Sequence, residues 1–106
     1  METGNLFQDI PTQLPNEIVE RLIVGNNMRI ERIVSKGHHS APDFWYDQEE
    51  NEWVLLIKGE ARLRFEEGDR VVHLTEGAHV NIAAHERHRV EWTPEDAETI
   101  WLAVFY

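Results

Sequence analysis

EWVLLIKGEARLRF, residues 52–65, decides the fold. Its first half, EWVLLIK (52–58), is apolar at successive positions and therefore on both faces, the pattern of a strand inside a sandwich. Its second half, ARLRF (61–65), alternates strictly, with Ala61, Leu63 and Phe65 on one face and arginines on the other. Gly59 and Glu60 form the turn between these two buried strands. Just upstream, WYDQEENEW (45–53) crowds carboxylates and amides against the entrance to the best core strand. Such a segment is either a solvated loop or a supplier of polar groups to the interior.

Outward from this centre the strand pattern continues. EEGD (66–69) is a hairpin turn with glycine where positive φ is needed. RVVHL (70–74) and AHVNI (78–82), joined by TEG, read as a further strand pair. HRVEW (88–92) and TIWLAVF (99–105) close the series. Upstream, RIERIV (29–34) is a β-branched strand broken by Gly37. LPNEIVERLI (14–23) reads instead as a short helix. Asn16 would cap it, Glu17 and Glu20 would favour its positive end, and Ile18, Val19, Leu22 and Ile23 would make one apolar stripe. GNN (25–27) would end that helix, and residues 1–14, with Pro11, would form an irregular arm. Short strands with turns every 8 to 12 residues imply an all-β sandwich or barrel behind a short amino-terminal helix.

Composition narrows the partners. At 106 residues the chain is read as one domain, long enough to bury about two thirds of its unfolded surface. Twenty acidic residues against 10 basic ones give a formal net charge of −10. Nucleic acid and anionic membrane surfaces repel such a protein at long range, so neither is expected as a partner. There is no cysteine, which excludes disulfides, thiolate metal sites and a cysteine nucleophile. The first residues, METGNLFQDI, lack the basic flank and apolar stretch of a signal peptide, and WVLLI is too short to span a membrane. A cytoplasmic location is the resulting expectation.

The motifs resemble those of a small single-domain cupin, a double-stranded β-helix of the jelly-roll type. That family carries a first motif G(x)5HxH(x)3–4E(x)6G and a second G(x)5PxGxxH(x)3N. Glu52 and Gly59 stand as E(x)6G in EWVLLIKG, and Gly77 and His88 bound the second motif in GAHVNIAAHERH. The resemblance covers about residues 28–105, the expected barrel, with 1–27 as the amino-terminal arm and helix. FWYDQ, EWVLL and AHxxHRVEW are similar to segments of a sub-group of small bacterial cupins. The departures are specific. No HxH precedes Glu52 at the family distance, where Tyr46 and Gln48, or Trp45 and Asp47, stand instead. Ala83 replaces proline, His85 replaces glycine, and Trp92 stands where asparagine is usual.

The resemblance implies a divalent transition metal (iron, manganese, zinc or nickel) held by nitrogen and oxygen ligands inside the barrel. Glu52 and His88 are then the expected ligands, with Gln48 or Asp47 and also His85 as further candidates. Tyr46 is the candidate acid or hydrogen-bond donor. If residues 46–52 run fully extended, Tyr46, Gln48, Glu50 and Glu52 share one face. If EEN bulges, Asp47 reaches inward instead and the site becomes richer in oxygen. His39 is a weaker ligand candidate than these, because only one of His38 and His39 can point inward from an extended chain. His73 and His79 read as surface residues. Three functions remain open: a metal-dependent enzyme acting on a small polar metabolite (oxygenase, isomerase or lyase), a non-catalytic module without a bound metal that binds or senses a small ligand, and a protein that works through its surface, with these polar groups solvating a loop. A homodimer is expected in every case, since small cupins pair through a sheet face or exchange amino-terminal strands.

Overall fold

The computed structural model describes all 106 residues. Eight strands carry the chain: β1 (Ile18–Gly25), β2 (Met28–Ser35), β3 (Glu52–Lys58), β4 (Ala61–Phe65), β5 (Arg70–Leu74), β6 (His79–Ile82), β7 (His88–Trp92) and β8 (Thr99–Phe105). They form a five-stranded sheet in the order β1-β2-β8-β3-β6 and a three-stranded sheet in the order β5-β4-β7. Every pairing is antiparallel. One hydrophobic cluster fills the space between the sheets, drawing Val54, Leu56, Trp101, Ala103 and Phe105 from one and Ala61, Leu63, Phe65 and Leu74 from the other. No helix is long and apolar enough to cross a membrane.

Period-two alternation explains the core. In β3 the buried positions are Glu52, Val54 and Leu56, while Trp53, Leu55 and Ile57 on the opposite face are half-buried. The turn after β3 carries the chain from one sheet to the other rather than making a hairpin. Gly59 has φ +94° there, and a Cβ would lie 2.8 Å from the carbonyl oxygen of Glu98 and 2.9 Å from Thr99 Oγ1. Only glycine satisfies both constraints.

Two expectations are corrected. Residues 14–23 do not form a helix; Ile18–Gly25 is a strand paired with β2 from Ile18↔Val34 to Gly25↔Met28. The four β-branched residues Ile18, Val19, Ile23 and Val24 favour extended chain. Asn27, at φ 60°, supplies the left-handed residue of a hairpin turn, not of a helix end. RVVHL and AHVNI do not pair with each other either. β5 pairs with β4 and β6 pairs with β3, so the TEG turn also changes sheets. Ahead of β1 the arm is irregular and tied down by Arg32. This buried guanidinium donates to the carbonyls of Leu6 (3.1 Å) and Gln8 (2.6 Å) and pairs with Glu20 at 2.7 Å.

Candidate functional site

The mouth of the sandwich opens into a cavity of about 300 Å³. Its floor and walls are apolar, from Val54 and Leu63 to Ile82, Trp101 and Phe105. Tyr46, Gln48, Glu52 and His88 all line it. The approach to β3 explains why. Tyr46 N–H donates to the His88 carbonyl (2.7 Å) and His88 N–H to the Tyr46 carbonyl (3.2 Å), an isolated antiparallel bridge. His85 N–H then donates to the Gln48 carbonyl at 2.7 Å. Residues 46 and 48 therefore share a face, as alternate positions of an extended segment must. A bend at residues 49 and 50 turns Glu50 away to pair with Arg29, and β3 restarts with Glu52 on the cavity side.

Glu52 and His88 form the centre. Both are buried, and Nε2 of His88 lies 3.5 Å from Oε1 of Glu52. Gln48 Nε2 donates to the same carboxylate oxygen at 3.4 Å. On its other side His88 uses Nδ1, 2.8 Å from the Glu86 carbonyl. A carbonyl can only accept, so Nδ1 carries a proton and Nε2 is the atom presented to the cavity. The imidazole stacks on the Tyr46 ring (5.4 Å, 26°) and packs beside Phe65. Burial works against the charged imidazole, but the Glu52 carboxylate and the Glu86 carbonyl together outweigh it, and the His88 pKa rises above its ordinary value. Burial pushes the Tyr46 phenol up as well, reinforced by the Glu17 and Glu52 charges, so Tyr46 keeps its proton.

Asp47 and His85 do not join this group. They lie on the exposed side of the same segment, where His85 Nδ1 and Asp47 Oδ1 meet at 2.7 Å, and neither lines the cavity. His38 and His39 border a smaller neighbouring cavity that shares Glu17 and Tyr46 with the main one. His73 pairs with Glu60 at the surface, and His79 is exposed beside Trp53.

A second set of polar residues, which no sequence motif marks, also lines the cavity: Glu17, Arg29 and Glu31. Arg29 lies 3.9 Å over the Phe105 ring and donates to Glu31 at 3.1 Å. Glu17 is held by a relay. Trp101 Nε1–H donates to Ser35 Oγ (3.2 Å), and the Ser35 hydroxyl donates to Glu17 Oε2 (2.6 Å).

No family model matches this sequence, and no curated protein matches it. Solved structures do. A protein from Ralstonia eutropha JMP134, named as a candidate mannose-6-phosphate isomerase, is 40% identical with a TM-score of 0.95. The match covers 99% of this chain and 97% of that one. An RmlC-like cupin protein from Desulfovibrio desulfuricans superposes with a TM-score of 0.77 at 17% identity, over 99% and 95% of the two chains. A cupin superfamily protein from Desulfitobacterium hafniense DCB-2 gives 0.73 at 15% identity, over 91% and 82%. The chain has the cupin fold.

A metal in a cupin needs three or four nitrogen or oxygen ligands converging inside the barrel. In this chain no three His, Asp or Glu side chains converge in that way. His88 and Glu52 make one nitrogen and one oxygen donor, and the next group, the Gln48 amide, is a weak ligand. The donor set stops one strong ligand short of a metal centre.

Proposed function

We propose that this protein takes a small polar organic molecule into the barrel cavity, with Glu52 and His88 acting on it directly as a proton-holding pair. The observation that carries this reading is the buried His88–Glu52 contact in a cavity whose walls are mostly apolar. A cavity of this size with a few convergent polar groups is the usual form of a small-molecule site. His88 Nε2, Glu52 and the Tyr46 hydroxyl face the same space, so an entering hydroxyl or carbonyl group meets an acid, a base and a neutral donor together. The Ralstonia relative's name points to a phosphorylated sugar. The charges here oppose one: Arg29 is already engaged by Glu31 and Glu50, and His88 by Glu52, which leaves no cation for a phosphate.

The test is a binding screen of small hydroxylated and carbonyl metabolites by thermal shift on wild type, Glu52→Gln and His88→Ala. Ligands that stabilise wild type and lose that effect in both variants support the reading. Ligands that stabilise all three proteins equally overturn it.

A divalent transition metal held by Glu52, His88 and Gln48 is the second reading. One observation favours it: the His88 Nδ1 bond to the Glu86 carbonyl, the arrangement that orients a metal-bound imidazole. In both readings two copies pair through β1, an edge strand whose apolar side chains are exposed.

A further inference from the structure

Three carboxylates line the cavity, and two of them have cations at hand: Glu31 has Arg29, and Glu52 has His88. Glu17 has none; its partner is the neutral Ser35 hydroxyl. Ser35 is fully buried and is itself fixed by the indole N–H of Trp101, another lining residue. The relay thus fixes one carboxylate oxygen in the half-buried Glu17 side chain, beside apolar walls and a phenol that keeps its proton. A carboxylate in such surroundings gains most from a cationic hydrogen-bond donor, because the low local dielectric strengthens the pair and water competes poorly.

The geometry points to a ligand that carries an ammonium or amidinium group: the cation pairs with Glu17, its apolar body lies against Trp101 and Phe105, and its polar end reaches Tyr46 and His88. This inference rests on the cavity being a ligand site and adds the charge of what it takes. The charge balance supports it independently. Three carboxylates, Glu17, Glu31 and Glu52, line the cavity against Arg29 and at most one further charge on His88, so a cation reduces the negative excess in either state of His88, whereas an anion would add to it.

Three probes of one shape separate the outcomes: phenethylamine, 2-phenylethanol and 3-phenylpropionate, titrated at low salt with the Trp101 indole N–H resonance as reporter. Charge-assisted bonds exceed neutral ones by enough to make the amine bind roughly tenfold tighter than the alcohol, with the carboxylate weakest. Glu17→Gln keeps an acceptor for Ser35 and removes the charge, so the amine should fall to the level of the alcohol while the alcohol is unchanged. Equal binding of amine and alcohol by wild type overturns the charge assignment but leaves the cavity as a ligand site. An amine preference that survives Glu17→Gln also overturns it, by moving the cation to another carboxylate. Failure of all three probes to shift the indole resonance overturns the ligand cavity and this inference together.

Discussion

Glu52→Gln probes the His88–Glu52 pair with almost no change in shape. In wild type the carboxylate raises the His88 pKa above its unfolded value of about 6.5 against the effect of burial. A group whose pKa is raised by folding contributes stability that is fully present below the unfolded pKa and is lost as pH rises through the folded pKa. Wild type should therefore lose stability from about pH 6.5 upward, until His88 has lost its proton. The amide cannot hold the charge, burial then dominates, and His88 becomes neutral at lower pH. A charge-assisted hydrogen bond is worth roughly 1.5–3 kcal/mol, and at 3.5 Å the Glu52–His88 contact belongs at or below the lower end, about 1–1.5 kcal/mol. The larger penalty for stranding a buried charge does not apply, because the imidazole sheds its proton instead. For a domain of this length the loss corresponds to a drop of roughly 5–10 °C in Tm below pH 6, shrinking at higher pH. Urea denaturation from pH 5 to 9 on both proteins, with the His88 ring protons followed by NMR, measures it. The difference curve cancels the surface pairs His73–Glu60 and His85–Asp47, which both proteins share. A difference that grows with pH, or a wild-type His88 titrating below 6.5, would show that Glu52 does not hold the imidazolium.

Other perturbations test the frame around the site. Leu56 is fully buried, so Leu56→Ala should cost about 2–5 kcal/mol in urea denaturation, whereas the half-buried Leu55 should cost clearly less. Gly59→Ala meets both a positive φ and the Glu98 carbonyl, and should lower stability by at least about 1–3 kcal/mol; an unchanged urea midpoint would contradict the assigned turn. Val19, Ile23 and Val24 on β1 are 57%, 54% and 63% exposed, an apolar edge that a second copy would cover. Light scattering should give a dimer that Val24→Glu dissociates, and a monomeric wild type would refute pairing through β1.

The barrel strands were legible because their signals are local. EWVLLIK, ARLRF, RVVHL, HRVEW and TIWLAVF match strand bounds residue for residue, since alternation and flanking turn residues fix both ends. Pairing was less legible. TEG serves equally as a hairpin turn or a crossing between sheets, and only the register of β6 against β3 decides. The stripe Ile18, Val19, Leu22 and Ile23 fits a helix as well as a strand, and the choice fell to β2, whose free edge offers backbone partners that a lone helix would lack. Within the site, motif spacing marked Glu52 and His88, and parity marked Tyr46 and Gln48. Asp47 stays outside because the bend comes at residues 49 and 50, after the inward positions are already set. Arg29, Glu31 and Ile33 alternate in one strand and line the cavity together, a period-two signal present in the sequence. Glu17 alternates with Val19, which also lines the cavity, but the helical reading of residues 14–23 hid that period.

On the proposed reading Glu52 and His88 meet the ligand directly, with no metal between them. Tag-free protein loaded in turn with iron(II), manganese, zinc and nickel, desalted, and measured for metal per chain tests it most directly. Direct contact gives retention far below one ion per chain, unaltered by His88→Ala. One tightly held ion per chain, lost in His88→Ala, would contradict it.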